Sequence, residues 1–529
     1  MRICPECNSD RLKSKGLRES AGVEYRRFKC KDCNSYFQVP LLTLPEPEVV
    51  EPPAMNERKE PKIRLITPTV DFDEAYADKA GVVITSCIND TPINEEFFKT
   101  LVKYCESKNY QLMVIPIKYI NPSAMHTGQD ATWPRQIHPY MIQSTVKRRD
   151  QFKIIGDCNI QATATHPLTG IDGLCEGMTS IVGHPVLQLK TVPVNPWRDP
   201  IILSSTGCIS VKTQYSASKA GYRASFHHCF SAVVIEFDDD LFHLRHLLAD
   251  VTGGFADLNE YWSVGGMLPV EVDAIVFGDE HVIFADEEVY EASFYGENSL
   301  TKLLKPRYMI RHDVFDAISV GKHDQNNFLN RYKKHQTPHN SIEYELGVTL
   351  DHMVNSTPDY SQTLIVHSNH DDHLQQWLST FGDPKNDYIN AKLYHHLMWK
   401  KIVAIEEQDD RSAFQIYSED IFGLPSKVKF IPDGFSLHGI QLSMHGDRGS
   451  GGARGSAMNL SKIGERSIIG HGHNAVIQSG LFQVGLSATK AMDYAKGSPS
   501  SWMHTHCILH KNGKRQLVSI INGRFRKSV

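Results

Sequence analysis

The sequence lacks the marks of a membrane protein and of a secreted one. No apolar run approaches the roughly 18 residues of a membrane span, and the N-terminus has no hydrophobic signal-peptide core. Of the 529 residues, 41% are hydrophobic and 22% are charged, as in a globular protein. We therefore expect a cytoplasmic protein. The chain is too long for a single core, and its length predicts roughly three domains.

A disulfide framework is also absent. Seven of the 11 cysteines are scattered along the chain, which is typical of buried reduced thiols. The other four form two C-x2-C pairs, whose spacing lets two knuckles present four thiolates tetrahedrally. This spacing predicts a structural zinc ribbon over residues 1–39, with these ligands: Cys4, Cys7, Cys30 and Cys33.

Negative charge is in small excess overall, yet both ends are basic. The formal net charge is −5, whereas residues 511–529, with Lys514 and Arg515, carry no acid. Cations interleaved with aromatic residues also follow the first cysteine pair, and they suit phosphate and base contacts: Arg26, Arg27, Lys29 and Lys31. Basic ends on an acidic body indicate DNA binding at particular places. The alternatives are a ribbon for protein contact and ordinary solvated charge.

Composition divides the rest of the chain. Residues 40–61 are rich in proline and glutamate and predict an extended linker. Residues 62–270 predict an α/β middle domain, because "AGVVITSCIN", "NEEFFKTLVKYCESKN" and "YQLMVIPIKY" have the pattern of a βαβ unit. Its basic and histidine residues indicate either a DNA-facing or an ordinary surface: Lys212, Lys219, Arg223, His227 and His228. We find no internal repeat.

The C-terminal region, residues 271–529, repeatedly places polar residues where an apolar strand ends. Five segments show this: "VDAIVFGDEH", "RYMIRHD", "TLIVHSNHDD", "GIQLSMHGD" and "RSIIGHGHN". The C-terminal ends of parallel strands meet along one edge of a sheet, where ligands bind. Oxygen and imidazole groups without thiolate suit Mn, Fe, Co or Zn. The region therefore predicts a metal site.

The order of these residues resembles that of the calcineurin-like metallophosphoesterases: D-x-H, G-D, G-N-H-D, H, G-H-x-H. The resemblance covers about residues 271–529, and His312 and Ser368 stand where the family has glycine. It implies a four-layer αββα sandwich here, beside the α/β middle domain and the small ribbon. The ribbon, the basic C-terminus and the extra domain favour the SbcD-like nuclease branch. The whole arrangement resembles early nucleases of long-tailed phages that act in DNA transfer and host DNA degradation.

Carried over by motif, the resemblance implies two divalent metals, most simply manganese, with Asp313 as the bridging ligand. A hydroxide between the metals would attack phosphorus. The remaining implied ligands are Asp279, His281 and His473 for one metal, and Asn369, His445 and His471 for the other. His370 would stabilise the transition state or protonate the leaving oxygen, and Asp371 would orient His370.

Several other titratable residues offer weaker alternatives. His438 precedes its strand and is a less suitable ligand than His445, and His504 and His506 share one strand face with structural roles favoured. The segment "EFDDDLFH" has no matching partner downstream. We expect His367, Asp372 and His373 to be bystanders.

The sequence thus predicts a metal-dependent deoxyribonuclease that has DNA as its partner and lies in the host cytoplasm if it comes from a phage. Two alternatives stay open: a phosphatase or cyclic-nucleotide phosphodiesterase, and a DNA-transfer scaffold with a vestigial site. A homo-oligomer is also open, as is exonuclease versus endonuclease action.

Overall fold

The computed structural model describes residues 3–20, 23–40, 68–119, 131–195, 198, 200–212, 215–321, 327–492 and 497–527. The chain forms two compact units, Met1–Ile66 and Thr67–Val529. Within the described residues, no helix has both the length and the apolar character that crossing a membrane requires.

The N-terminal unit is a small antiparallel sheet. Its strands are β1 (Leu12–Ser20), β2 (Val23–Cys30) and β3 (Tyr36–Pro40), in the order β1-β2-β3. The register of β1 against β2 shifts between Ser14 and Leu17, where Gly16 has φ +89°. Residues 41–61 of the predicted linker lie outside the described residues.

The second unit begins with the predicted middle region. Its elements are β4 (Val70–Asp71), α1 (Phe72–Ala75), β5 (Gly81–Ile88), α2 (Glu95–Lys108), β6 (Tyr110–Ile117), β7 (Thr145–Arg148), β8 (Phe152–Ile155), β9 (Thr179–Val182), β10 (Leu189–Val192), β11 (Ile201–Ser205), α3 (Lys219–His227), β12 (Ser231–Asp238), β13 (Leu241–Leu248), β14 (Phe255–Asp257), β15 (Glu260–Ser263) and β16 (Gly266–Pro269). The predicted βαβ unit is confirmed, since β5 and β6 pair in parallel on either side of α2. Asn94 caps α2 by accepting from the Phe97 N–H.

The C-terminal part contains more helix. Its elements are β17 (Val272–Val276), α4 (Glu287–Tyr290), α5 (Leu300–Leu304), β18 (Tyr308–Arg311), α6 (Phe328–His335), α7 (Ile342–Asn355), β19 (Gln362–Ile365), α8 (Asp371–Gln376), α9 (Ala391–Glu406), α10 (Ala413–Ile416), β20 (Val428–Phe430), β21 (Ser436–Leu437), β22 (Ile440–Gln441), α11 (Ala457–Leu460), β23 (Arg466–Ile469), β24 (Val476–Gln478), β25 (Leu481–Gln483), β26 (Thr505–His510) and β27 (Arg515–Ser519). Wider π-helical turns continue α4, α8 and α10 at Glu291–Tyr295, Trp377–Phe381 and Tyr417–Phe422. A hairpin turn at Asn512 and Gly513 joins β26 to β27.

Sheet topology shows how the second unit is joined together. A six-stranded sheet has the order β20-β19-β18-β17-β26-β27, and a four-stranded sheet has the order β13-β12-β5-β6. An 11-stranded sheet runs β21-β22-β23-β25-β24-β10-β11-β9-β8-β7-β4, and the pairing of β10 with β24 joins strands from both sides of residue 270. The predicted boundary at 270 therefore lies inside one compact unit. The described residues form a mixed α/β fold with several sheets, and none of these sheets closes into a barrel.

Buried apolar residues of the second unit form one large core and several smaller ones. Successive residues of one strand point to different cores, because side chains alternate between the two faces of a sheet. Ile310 and Leu364 contribute to the large core shared with the middle region, whereas Ile365 packs with α7, α8 and α9 on the opposite face. The strands of the six-stranded sheet are thus buried on both faces, which explains their nearly continuous apolar sequence. The four-layer αββα arrangement stays a prediction.

Candidate metal centre

Five strand ends bring the predicted ligands together. In the six-stranded sheet, β17, β18 and β19 are adjacent and parallel, and they lead to Asp279, Asp313 and the segment from Asn369 onward. In the 11-stranded sheet, β22 and β23 are also parallel, and they lead to His445 and to the His471–His473 segment. The carboxyl ends of both sets of strands meet at one site, as the sequence pattern predicted.

Four of the predicted ligands form a compact group. The side chains of Asp279, His281, Asp313 and His473 are buried, and each offers a ligand atom within 4.8 Å of the others. His281 Nε2 lies 3.0 Å from His473 Nε2 and 3.6 Å from Asp313 Oδ2. His473 Nε2 lies 3.3 Å from Asp279 Oδ2. Two carboxylates and two imidazoles at this spacing form a suitable site for a divalent transition metal.

A second group shares Asp279 with the first. His445 Nδ1 lies 4.0 Å from Asp279 Oδ1, and His445 Nε2 lies 3.4 Å from Asp313 Oδ2. His312 belongs to this group as well, with its Nδ1 atom 3.4 Å from His445 Nδ1. The predicted ligand His471 borders this group, because its ring lies 5.2 Å from that of His445. His312 is thus an additional imidazole beside the centre, where the sequence suggested only a missing glycine.

The backbone adopts strained conformations at the ligands themselves. His281, Asp313, His471 and His473 all have positive φ, between 41° and 71°. Such conformations are rare for residues with a side chain, and they cluster at functional sites. His312 and Ser368 are not among the positive-φ residues, so the absence of glycine there causes no strain. Gly470 is required for space, because a Cβ atom at this position would lie 2.2 Å from Asp279 Oδ1.

Unpaired polar atoms show that the residues fit a metal centre. Among the described residues, five buried atoms make no hydrogen bond of normal geometry: both carboxylate oxygens of Asp279, Asp313 Oδ1, Asn369 Oδ1 and His445 Nε2. A buried, unpaired carboxylate is costly, and a cation compensates for it. Each of these residues is a ligand that the sequence predicted.

The candidate catalytic histidine contacts a different carboxylate from the one predicted. His370 Nδ1 lies 3.0 Å from Asp316 Oδ1, and its Nε2 lies 3.9 Å from Asp313 Oδ2. The prediction that Asp371 orients His370 is therefore wrong. The same Asp316 oxygen lies 2.7 Å from His281 Nδ1, so one carboxylate positions both imidazoles. The sequence signal for Asp316 was its place three residues after Asp313, in the same loop.

Asp371 instead shapes the loop that holds Asn369. Its Oδ2 atom accepts a hydrogen bond from the Ser368 N–H at 3.0 Å and lies 3.4 Å from His367 Nδ1. Ser368 Oγ in turn accepts from the His370 N–H at 3.2 Å. Ser368 thus supports the turn through its hydroxyl group. Burial raises the pKa of Asp371 to about 7.

Burial and close contacts shift the pKa values of the titratable groups at the centre. Burial raises the pKa of Asp279 to about 7. Burial would also raise the pKa of Asp313, but His370, His445 and His281 outweigh it and hold that pKa well below its usual value. Burial would lower the pKa of His370, yet Asp313 and Asp316 outweigh it and raise that pKa to about 10. Both carboxylates therefore favour the protonated form of the His370 ring.

A buried ion pair lies behind the ligands and was not predicted. Glu280, between Asp279 and His281, makes a bidentate salt bridge to Arg311, and both side chains are fully buried. Arg311 also donates to Ser356 Oγ at 2.9 Å and contacts His352 Nε2 at 2.8 Å. Burial would raise the pKa of Glu280, but Arg311 outweighs it and lowers that pKa to about 2. The pair links the ends of β17 and β18, which carry Asp279 and Asp313.

The weaker alternatives from the sequence have structural partners. His438 Nε2 lies 2.6 Å from Asp273 Oδ2, which excludes His438 as a ligand at this centre. His506 accepts from the Gly278 N–H at 3.0 Å, and His504 lies 2.9 Å from the Ala488 carbonyl, so their structural roles are confirmed. His367 pairs with Asp372 at 3.1 Å. His373 is closer to the centre than expected, because its ring lies 5.0 Å from that of His370.

The four N-terminal cysteines form the second candidate metal centre. The Sγ atoms of Cys4 and Cys33 are 3.6 Å apart, as are those of Cys7 and Cys30. A tetrahedral zinc site with Zn–S bonds of about 2.3 Å has sulfur–sulfur distances of about 3.8 Å. Asn8 and Asn34 adopt left-handed φ of 58° and 60° just after each cysteine pair, as a tight knuckle requires. The spacing therefore fits the predicted structural zinc.

The predicted DNA-contacting cations differ in exposure. Arg26 and Lys31 are exposed, Arg27 and Lys29 are half-buried, and Lys29 Nζ lies 5.4 Å from the centroid of the Tyr36 ring. Lys514 is half-buried. Arg515 is buried, donates to the carbonyls of Ser467 and Gly480, and lies 4.1 Å from the centroid of the Phe482 ring. The prediction that Arg515 contacts DNA is therefore wrong, because its guanidinium group is already bound inside the fold.

Together these features define a mixed α/β protein with a four-cysteine site and a buried aspartate–histidine site, both suited to metal ions. Comparison with known proteins finds protein A1 of Escherichia phage T5, which is 30% identical over 493 residues. The match covers 89% of this chain and 87% of that protein, and the chain belongs to the family of protein A1. No protein-family model matches the chain, and no solved structure does.

Proposed function

We propose that this protein is a divalent-metal-dependent DNA nuclease that hydrolyses phosphodiester bonds. The observation that carries the proposal is the meeting of Asp279, His281, Asp313 and His473 beside His445, with buried oxygen and nitrogen atoms that lack other partners. Asp313 lies close to ligands of both groups, which suits a bridging carboxylate. Two divalent metals, most simply manganese, would supply Lewis acidity for the phosphodiester and a nucleophile derived from water.

The chain itself supplies a proton donor. The side chain of His370 is partly exposed, at 23%, and its Nδ1 atom lies 3.0 Å from Asp316 Oδ1. Its Nε2 atom, 3.9 Å from Asp313 Oδ2, is the remaining donor, and the carboxylate of Asp316 favours the protonated ring. A protonated imidazole at this position would donate to the leaving oxygen of the cleaved strand. Asp316 would keep both His370 and His281 in the correct orientation.

Three further observations favour DNA over a small phosphate ester. The N-terminal sheet presents Arg26 and Lys31 on its surface beside the four-cysteine site. The catalytic residues belong to a much larger unit in which the middle region shares a sheet with them. The relative in this family is a phage protein. A role as an early phage protein, in DNA transfer or host DNA degradation, would follow from nuclease activity.

Product analysis tests this proposal. The purified protein with added manganese is incubated with closed-circular plasmid, end-labelled duplex DNA, p-nitrophenyl phosphate and cyclic nucleotides. We expect DNA cleavage that is lost in His370→Ala, and nicking of the closed circle distinguishes endonuclease from exonuclease action. Turnover of the small esters without DNA cleavage would instead indicate a phosphatase or cyclic-nucleotide phosphodiesterase. DNA binding without any hydrolysis would indicate a scaffold.

A further inference from the structure

Helix α6 presents aromatic side chains to solvent. None of its eight residues is buried, and Phe328 and Tyr332 are 77% and 56% exposed. They lie one helical turn apart, with ring centroids separated by 6.5 Å and planes inclined by 21°. Large aromatic rings normally bury their surface in a core, so two exposed and nearly parallel rings indicate a contact surface for a ligand.

The same helix is basic. It carries Arg331, Lys333 and Lys334 and no acidic residue. Lys334 is fixed, because its ammonium group donates to the Ile318 carbonyl. Among the described residues, no carboxylate lies within salt-bridge distance of Arg331 or Lys333. Cations next to exposed aromatic rings are the combination that binds single-stranded nucleic acid, through phosphate contacts and base stacking.

This helix borders a groove of about 760 Å³. Its lining includes Phe328, Arg331 and Tyr332 from α6, together with Trp377 and Tyr388 from later in the chain. Two acids, Asp383 and Asp387, also line the groove, and each accepts hydrogen bonds from amide groups of its own loop.

The groove and the metal centre share two chain segments. Ser319 and Val320 line the groove and follow Asp316, which contacts His281 and His370. Trp377 lies in the helical turn that continues α8, and α8 begins at Asp371, immediately after His370. Along both segments the groove lining is only a few residues from residues that form or contact the centre, so a chain bound in the groove would lie near that centre.

We propose that α6 and this groove bind an unpaired segment of the DNA substrate, with bases stacked on Phe328 and Tyr332 and phosphates beside Arg331 and Lys333. Paired bases inside a duplex do not present their faces, so the exposed rings favour a frayed or single-stranded segment. Helix α3 also carries exposed aromatic residues, Tyr222 and Phe226, but α6 alone of the two lines the groove that shares segments with the metal centre. This inference rests on the proposed nuclease function.

The test uses the full-length protein and three double variants. Phe328→Ala/Tyr332→Ala removes both rings, and Arg331→Gln/Lys333→Gln removes both positive charges. Trp399→Ala/Lys392→Gln on α9 is the matched control, since Trp399 is 65% exposed and lies outside the groove lining. Affinity for a fluorescein-labelled oligothymidylate is measured over a range of salt concentrations without manganese. Hydrolysis of bis(p-nitrophenyl) phosphate, which has no base or polymer backbone, is measured with manganese.

We expect the ring variant to bind the oligonucleotide on the order of tenfold more weakly, because each stacked base contributes substantially. The charge variant should reduce the slope of log affinity against log salt by about 1.4, at roughly 0.7 for each lost phosphate contact. Both should hydrolyse bis(p-nitrophenyl) phosphate at the wild-type rate, and the control should behave as wild type. Unchanged affinity in both α6 variants, an equal loss in the control, or no binding by the wild type would overturn the inference. Failure of every protein to hydrolyse DNA and bis(p-nitrophenyl) phosphate, with α6-dependent binding intact, would refute the nuclease proposal alone.

Discussion

Asp316 Oδ1 lies 3.0 Å from His370 Nδ1 and 2.7 Å from His281 Nδ1, so one buried carboxylate positions both a candidate proton donor and a candidate metal ligand. Burial would raise the pKa of Asp316, but His281 and His370 outweigh it and lower that pKa to about 2. The carboxylate therefore stays ionised, hydrogen-bonded to the His281 ring and paired with the His370 ring. Its position makes Asp316 as important for the orientation of the site as the ligands themselves.

Replacement of Asp316 with asparagine tests this role. We expect Asp316→Asn to lower the rate of DNA cleavage roughly 10-fold to 100-fold, the usual effect of losing a carboxylate that orients a ligand histidine. Loss of the negative charge also lowers the pKa of His370, so the alkaline limb of the rate profile should move to lower pH. The measurement is kcat against pH. Asp372→Asn is the control, because Asp372 pairs with His367 and Arg448; equal effects in the two variants would contradict the assignment.

The metal content of two variants distinguishes the two candidate metal centres. Asp313→Ala should lose the metal of the buried centre and keep one zinc ion, because Asp313 contacts His281 and His445 while the four cysteines lie in a separate unit. Cys30→Ser should show the reverse. Elemental analysis of the purified proteins provides the measurement. Loss of both kinds of metal in either variant would show that the two centres depend on each other.

The Glu280–Arg311 pair predicts a stability effect. Glu280→Gln leaves the buried Arg311 guanidinium without a carboxylate, which costs about 3–5 kcal/mol. Because the entropy of unfolding increases with chain length, the thermal midpoint should fall by about 3–5 °C. Glu280→Leu/Arg311→Met removes both charges and should recover part of this loss. Glu297→Gln, at an exposed pair with Lys302, should leave the midpoint unchanged. A midpoint unaffected by Glu280→Gln would contradict the account.

Buried neutral histidines predict a loss of stability in acid. Burial lowers the pKa of His184 and His510 to about 4, and that of His246 and His506 to about 3. Unfolded histidines have a pKa of about 6.5, so below that pH the unfolded chain binds more protons than the folded one. Stability present above pH 6.5 should therefore decline progressively as the pH falls toward 4. Thermal midpoints across this pH range provide the measurement, and His510→Leu should reduce the decline. A midpoint that stays constant between pH 6.5 and pH 4 would refute the prediction.

The strand ends and their ligands were predictable because each motif is local in sequence. Runs of apolar residues marked β17, β18 and β19, and the polar residues after them identified Asp279, Asp313 and His370. Contacts between different motifs could not be predicted from the sequence. Asp371 is adjacent to His370 in sequence, but α8 begins there and directs its carboxylate back to the Ser368 N–H. The carboxylate that contacts His370 is instead that of Asp316, in the loop after β18.

Charged residues that pair inside the fold were also missed. Arg515 looks like a surface cation in the sequence, yet β27 places it beside the Phe482 ring and two carbonyl groups. Arg311 and Glu280 are 31 residues apart and meet only because β17 and β18 are parallel neighbours. Likewise, the pairing of β10 with β24 connects regions that composition separated at residue 270.

The most direct test of the central claim is the manganese-dependent cleavage of end-labelled duplex DNA by the wild-type protein and by Asp313→Asn, followed on a denaturing gel. Asp313 contacts a histidine of each ligand group, His281 and His445, and its replacement by asparagine removes one charge with little change in volume. We predict cleavage by the wild type that requires manganese and falls at least 100-fold in the variant. Cleavage of the same extent in the two proteins, or cleavage that is independent of metal, would contradict the account.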